Sequence, residues 1–247
     1  LSEVGRRIVR MTVTGRLELA AFDARDIDTL ASFYAALAGW EIARKDSDWI
    51  TIRAEDGQEV GFQFAPDHLP PQWPGQKLPQ QFHLDLQVDG IEAAAVRAIE
   101  LGATRLADGP TWITLADPAG HPFDLCQAEG VGPVMKLFAV TIDTADALPL
   151  ARFYAQLLGM EITYDGPEGA LIAGDDKSIM FQQVGEYTPP GWPDPARPQQ
   201  AHLDITVDDL DSGEARALEL GASRLNGGGE RFRVFADPAG HPFCLTL

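Results

Sequence analysis

Two His-Leu-Asp triplets carry the side chains best suited to chemistry, His83 with Asp85 and His202 with Asp204. Successive side chains of an extended strand face opposite ways, so each imidazole shares a face with its carboxylate. Leu84, Leu86 and Val88, or Leu203, Ile205 and Val207, take the other face. A carboxylate beside an imidazole raises its pKa and can make it a general base near neutral pH, which nominates His83 and Asp85 as catalytic residues. The plainer alternative is that both histidines line a ligand cup and hydrogen-bond a substrate or a neighbouring carboxylate. Downstream, Asp124 and Cys126, and in the second copy Cys244 and Thr246, alternate onto the same polar face. Trp73 and Trp192 stand in proline-rich loops just ahead of the triplets. A ring held there by prolines stacks on a planar or cationic ligand, or seals its own loop. Trp40, Trp49 and Trp112 read as core or edge packing. The chain has no Gly-rich phosphate loop, Gly-x-Ser-x-Gly elbow or Cys-x-x-Cys pair, which argues against nucleotide hydrolases, α/β-hydrolases and dithiol redox proteins.

The elements that position these residues come in copies. Asp-Pro-Ala-Gly-His-Pro-Phe occurs at 117–123 and again at 237–243, Leu30-Ala31-Ser32-Phe33-Tyr34 answers Leu150-Ala151-Arg152-Phe153-Tyr154, and Pro71-Gln72-Trp73-Pro74 answers Pro190-Gly191-Trp192-Pro193. The halves are homologous domains, 13–128 and 135–247, behind an N-terminal tail at 1–12 in which Met11 is a candidate start. The repeated heptapeptide reads as a type I turn, with His121 and His241 structural rather than catalytic. Inside each half a weaker period recurs, an apolar helix running into Gly39, Gly102, Gly159 or Gly221, each the expected left-handed C-terminal cap. The stripe Leu30, Phe33, Tyr34 and Leu37 has helical spacing. Each helix follows a strand and precedes room for three short antiparallel strands, so the unit is βαβββ and the class α+β. Two such modules per domain, covered by helices on one side, curve into a sheet whose polar face is a cup.

The 247 residues include 37 acidic side chains against 19 Lys and Arg, a formal net charge of −18, which argues against nucleic acid or anionic membrane as partner. A small, cationic or aromatic molecule fits better. No apolar run reaches the roughly 18 residues a spanning helix needs, and no secretory signal opens the chain. Two cysteines make no disulfide framework and suit the cytoplasm.

The βαβββ modules, the helical Phe-Tyr ahead of Leu-Gly, the His-Leu-Asp strand and the terminal Asp-Pro-x-Gly-x-x-Phe hairpin resemble the vicinal oxygen chelate superfamily. That group includes glyoxalase, bleomycin resistance proteins and extradiol dioxygenases, and the resemblance runs over 14–247 in two copies. It implies a cup between paired modules, usually holding a divalent metal through first and last strands. Carried across by position, the ligand places fall on His83 and His202, on Asp124 and Cys244, on Leu19 and Ala139, and near Gln63 and Gln182. Leu19 and Ala139 bind no metal; a one-residue shift offers Glu18 but, in the second copy, Phe138. The resemblance therefore implies one divalent ion (Zn, Fe, Mn or Ni) in the first domain on His83, Asp124 and Gln63. Trp73, Gln63, Trp192, Gln182, His202 and Asp204 are the expected substrate contacts. The function implied is small-molecule binding with metal-dependent lyase, isomerase or dioxygenase chemistry, or metal-free sequestration as in the bleomycin resistance branch. Two domains in one chain can pair as two subunits would, so monomer and homodimer are both open.

Overall fold

Helix formation in the first module follows from its ends and its stripe. The computed structural model describes residues 14–247, so the tail at 1–12 and Met11 lie outside the described residues. After β1 (Gly15–Ala24), Asp26 accepts the Thr29 backbone N–H at 2.9 Å and starts α1 (Ile27–Ala38), and Gly39 stops it at φ 77°. Leu30, Phe33, Tyr34 and Leu37 are buried along one side of α1. The chain then makes β2 (Glu41–Lys45), β3 (Trp49–Arg53) and β4 (Glu59–Phe64). The second module is β5 (Phe82–Val88), α2 (Ile91–Glu100), β6 (Thr104–Asp108), β7 (Trp112–Ala116) and β8 (Pro122–Gln127). The third is β9 (Lys136–Thr144), α3 (Ala147–Leu158), β10 (Glu161–Gly166), β11 (Gly169–Gly174) and β12 (Lys177–Gln183). The fourth is β13 (Ala201–Val207), α4 (Leu210–Leu220), β14 (Ser223–Gly228), β15 (Phe232–Ala236) and β16 (Pro242–Thr246). This is the βαβββ order and α+β class expected.

The modules share sheets across the halves. One eight-stranded sheet runs β14-β15-β16-β13-β1-β4-β3-β2 and joins modules one and four; the other runs β10-β11-β12-β9-β5-β8-β7-β6 and joins modules two and three. We call these the 1–4 and 2–3 sheets. Antiparallel pairing makes both joints, with Ala21 opposite His202 and Leu19 opposite Asp204 in one, and His83 opposite Thr141 and Asp85 opposite Ala139 in the other. Every module offers a similar free edge on its first strand, so local alternation does not specify the partner.

The two sheets are held together through their helix-covered faces. Phe33 and Tyr34 of α1 meet Phe123 of β8 at ring-centroid distances of 5.8 and 5.6 Å, and the Tyr34 hydroxyl donates to Asp117 at 3.0 Å. Tyr154 and Asp237 repeat the bond at 3.0 Å. One continuous core draws on all four modules. Full burial of Phe or Leu side chains contributes about 1.5–3 kcal/mol each, so this interface, shared by both sheets, is where much of the stability resides. At the centre Gln81 and Gln200 exchange backbone N–H to side-chain carbonyl bonds of 3.0 Å each, and their amide groups reach Pro198 and Pro79 carbonyls at 3.1 and 2.7 Å. The polar faces of the sheets, turned away from this core, form the two cups.

Candidate functional site

In the 2–3 cup the parallel pairing of β5 with β8 sets Asp85 beside Asp124. His83 Nε2 lies 3.4 Å from Asp85 Oδ1 and 3.9 Å from Asp124 Oδ2, and the Thr141 hydroxyl of β9 donates to Asp85 Oδ2 at 2.5 Å. The imidazole is buried. Burial pulls it down, but the carboxylates of Asp85, Asp124 and Asp143 outweigh that and push it up to about 9. Burial raises Asp124 and Asp143 above the usual carboxylate range. Asp85 beside the imidazole thus moves its pKa in the direction expected from the sequence. Two buried atoms of the group, His83 Nδ1 and Asp124 Oδ1, have no hydrogen-bond partner. Gln182 lies on this sheet, opposite Asp143 on the parallel neighbour β9, and Ala139 faces Asp85 without a donor. Cys126 is opposite Trp112 on β7.

Gln63 is elsewhere. It sits on β4 of the 1–4 sheet and lines the other cup, so the expected set His83, Asp124 and Gln63 is not brought together; the physical reason is the pairing of β5 with β9 instead of β1. The residue that structure adds to His83 and Asp124 is Asp85. These three place one nitrogen and two oxygen donors within 4.8 Å of one another. The donor set, with Asp124 Oδ1 unpartnered, fits a divalent cation.

The 1–4 cup encloses a cavity of about 780 Å³ whose lining includes Trp49, Gln63, His202, Asp204 and Cys244. His202 Nε2 is 3.4 Å from Asp204 Oδ1, and its Nδ1 is 3.4 Å from the Gln199 amide, which also donates to Asp23 at 3.2 Å. Burial pulls the His202 pKa down, but Asp204 more than offsets this, so the net direction is upward. Burial pushes Asp23 up to about 6, against the pull of His202, and holds the Cys244 thiol up together with Asp204. Trp49, read from sequence as packing, is a cavity wall: its ring centroid is 6.3 Å from His202 and its Nε1 donates to Thr51 at 2.9 Å. Leu19 opposes Asp204 with no donor, and Glu18 accepts from Thr206 and Thr246 at 3.1 and 3.2 Å. Phe138 is a largely exposed residue of β9. Neither Trp73 nor Trp192 is among the residues lining this cavity. Both are half-buried, and the Trp192 ring lies 3.5 Å from where a Cβ on Gly227 of β14 would stand, which fits the loop-sealing reading.

His121 and His241 are fully buried and structural. Asp117 Oδ1 accepts the backbone N–H of Ala119 and His121 at 2.9 and 3.0 Å while Oδ2 takes His121 Nδ1 at 3.1 Å, and Asp237 does the same in the second copy. Sequence reasoning missed Thr141, Asp143 and Asp23. The only available signal was that each lies on a polar-faced position of a first strand, and their partners come from the opposite half of the chain.

Comparison with known proteins bears on the fold. Glyoxalase I from Zea mays superposes over 94% of this chain and 92% of its own, with a TM-score of 0.62 and 18% identity. A putative dioxygenase from Bacillus subtilis subsp. subtilis str. 168 superposes over 94% and 85%, with a TM-score of 0.63 and 14% identity. A bleomycin-binding protein complexed with bleomycin matches 44% of this chain and 95% of its own at a TM-score of 0.33 and 22% identity. A search of curated protein sequences found no match. The sequence profile of the Glyoxalase-like domain matches residues 20–126 and again 139–246, each copy spanning the βαβββ pair read from the repeats, and the chain is thus a two-copy member of the glyoxalase-like domain family within the vicinal oxygen chelate superfamily.

Proposed function

We propose that this protein binds a small, planar or aromatic organic molecule in the 1–4 cup. The observation that carries the reading is the cavity of about 780 Å³, floored by the His202–Asp204 pair and walled by Trp49. That volume is in the range that encloses a metabolite-sized ligand. Gln63 and the pair supply hydrogen bonds, and Trp49 supplies a stacking face. The lining mixes Arg44, Arg53 and Arg231 with Asp48 and Glu59, so the local charge does not select a cation as the net charge of −18 suggested. Both cysteines are free thiols. Among the described residues no helix is long and apolar enough to cross a membrane.

Titrating planar aromatic metabolites against intrinsic fluorescence tests the reading. Saturable quenching is expected, with affinity roughly three- to tenfold weaker in Trp49→Phe, the cost of reducing one stacking face. Quenching that is absent across the set, or identical in the variant, would overturn it.

A second reading is favoured by one observation, the convergence of a His83 ring nitrogen with Asp85 and Asp124 within 4.8 Å, where Asp124 Oδ1 has no partner. The 2–3 cup is then the site of lyase, isomerase or dioxygenase chemistry. His83, Asp85 and Asp124 would hold a divalent cation, which when bound supplies polarisation of a substrate oxygen pair. Thr141 fixes the Asp85 carboxylate, and Asp143 keeps a further negative charge near His83. One Mn²⁺ per chain by elemental analysis, lost in Asp124→Ala, is the expected result; a wild-type protein that stays metal-free sinks this reading and leaves the first intact.

A further inference from the structure

The two cups differ in how their His-Asp pairs are completed. In the 2–3 cup the Thr141 hydroxyl donates to Asp85, and the Gln80 amide bonds both oxygens of Asp143 at 3.1 and 3.0 Å, leaving His83 Nδ1 without a partner. In the 1–4 cup Ala21 stands opposite His202, where Thr141 stands opposite His83, so no hydroxyl reaches Asp204 from that position. Beside Asp204 are the His202 ring, Leu19 and the Cys244 thiol, a weak donor. Behind the ring, the Gln199 amide nitrogen lies 3.2 Å from Asp23 Oδ1 and 3.4 Å from His202 Nδ1. An ionised carboxylate only accepts, so Asp23, on β1 of the other half of the chain, turns the Gln199 NH2 group toward itself and toward Nδ1. Nδ1 must then accept, and the ring proton stands on Nε2. A proton on Nδ1 would set two N–H groups against each other, so Gln199 opposes the upward pull of Asp204 on the ring. Nε2 is 3.4 Å from Asp204 Oδ1, longer than the roughly 2.7–3.2 Å of a closed N–H···O bond, and both residues line the cavity. The floor thus presents a donor and an acceptor side by side, next to the Trp49 ring.

We propose that the 1–4 cavity selects planar heteroaromatic molecules with a lactam edge, a ring carbonyl adjoining a ring N–H. The carbonyl accepts from His202 Nε2 and the ring N–H donates to Asp204, while Gln199 and Asp23 are positioning residues that fix the His202 donor. This deepens the small-molecule reading of the same cavity and rests on it. An edge that offers only an acceptor or only a donor leaves one floor group unpaired, and that is the source of discrimination.

The test is calorimetric titration of the full chain at pH 7.5, above the value of about 6 to which burial pushes Asp23. Three probes are compared: 2-quinolone, N-methyl-2-quinolone, which offers only the acceptor, and indole, which offers only the donor. 2-Quinolone is expected to bind about ten- to a hundredfold more tightly than either, the difference made by one hydrogen bond to a charged or oriented partner. Gln199→Leu is expected to weaken 2-quinolone about tenfold and to leave indole, which does not use His202, unchanged. Nitrogen-15 spectra of the imidazole are expected to show the His202 proton on Nε2 in the wild type and exchanging between both nitrogens in the variant, a signature that a packing defect does not produce. The wild-type affinities and spectrum decide the matter even if the variant fails to fold. Equal affinity for the three probes, or a proton on Nδ1 in the wild type, overturns the proposal and leaves the aromatic reading standing. Binding by none of the three overturns it as well, and removes the aromatic reading too if no planar metabolite quenches the intrinsic fluorescence.

Discussion

One exchange between the two copies, His68 in the first for Tyr187 in the second, changes the hydrogen bonding of the buried histidine in the repeated turn. Tyr187 donates its hydroxyl to the Ala239 carbonyl at 2.8 Å and meets His241 Nε2 at 3.0 Å. The matching residue in the first half is His68, whose Nε2 reaches the Ala119 carbonyl at 3.0 Å, leaving its own Nδ1 and His121 Nε2 without partners. Burial, reinforced by the neighbouring His121, pushes His68 down to about 4 from the ordinary 6.5. Between those values the unfolded chain binds a proton that the folded chain refuses. The fold therefore has its full stability above about pH 6.5 and loses it as pH falls toward 4, by on the order of 3 kcal/mol in total. His68→Tyr is expected to flatten this acid limb and to raise the urea midpoint at pH 5, because the hydroxyl supplies His121 with its missing partner. Urea melts of both proteins at pH 5 and pH 7.5 check it; equal pH dependence in the two would count against the assignment.

The four helices show how far capping could be read along the chain. Asp26 and Asp209 cap α1 and α4 through bonds from Thr29 and Ser212 backbone N–H at 2.9 and 2.8 Å, each the ordinary i to i+3 signal. By contrast, α2 and α3 are capped from a distance. The Ile91 N–H donates to the Gln127 side chain of β8 and the Ala147 N–H to that of Gln183 of β12, both at 3.0 Å. Asp146 stands at the N-cap of α3 with no side-chain cap bond. A helix end needs a polar partner but does not specify its origin, so sequence identified the helices from their stripes and terminal glycines and left these two caps undetermined. The strands divide likewise. Alternation put Leu84 and Leu86 on the core side and His83 and Asp85 on the cup side, as found, although all four are buried. It gave no hint that Trp49 would wall a cavity, since its neighbours there, His202 and Asp204, come from the far end of the chain.

At the scale of the whole molecule, β1 lies against β13 and β5 against β9, so each half lacks the strand that completes both of its modules. A chain of residues 13–128 expressed alone therefore leaves two pairing edges open and is expected to form a dimer, with module one of each copy joined to module two of the other. Light scattering gives the mass directly. A folded monomer would show that two modules of one half can share a sheet, and would remove the edge argument. In the complete chain these edges are satisfied internally, and the Gln81–Gln200 exchange locks the centre.

The sequence by itself determined the duplication, the four βαβββ modules, the inward and outward faces of the strands and the His-Asp pairs, because repeats, period-two alternation and glycine caps are properties of short segments. The tertiary structure alone decided which modules share a sheet. That choice moved Gln63 away from His83, brought Asp85 and Thr141 to it, and gave His202 and Cys244 a walled cavity. Near-identical repeats present near-identical edges, and only the joint packing of helices in one core distinguishes between partners that look alike along the chain.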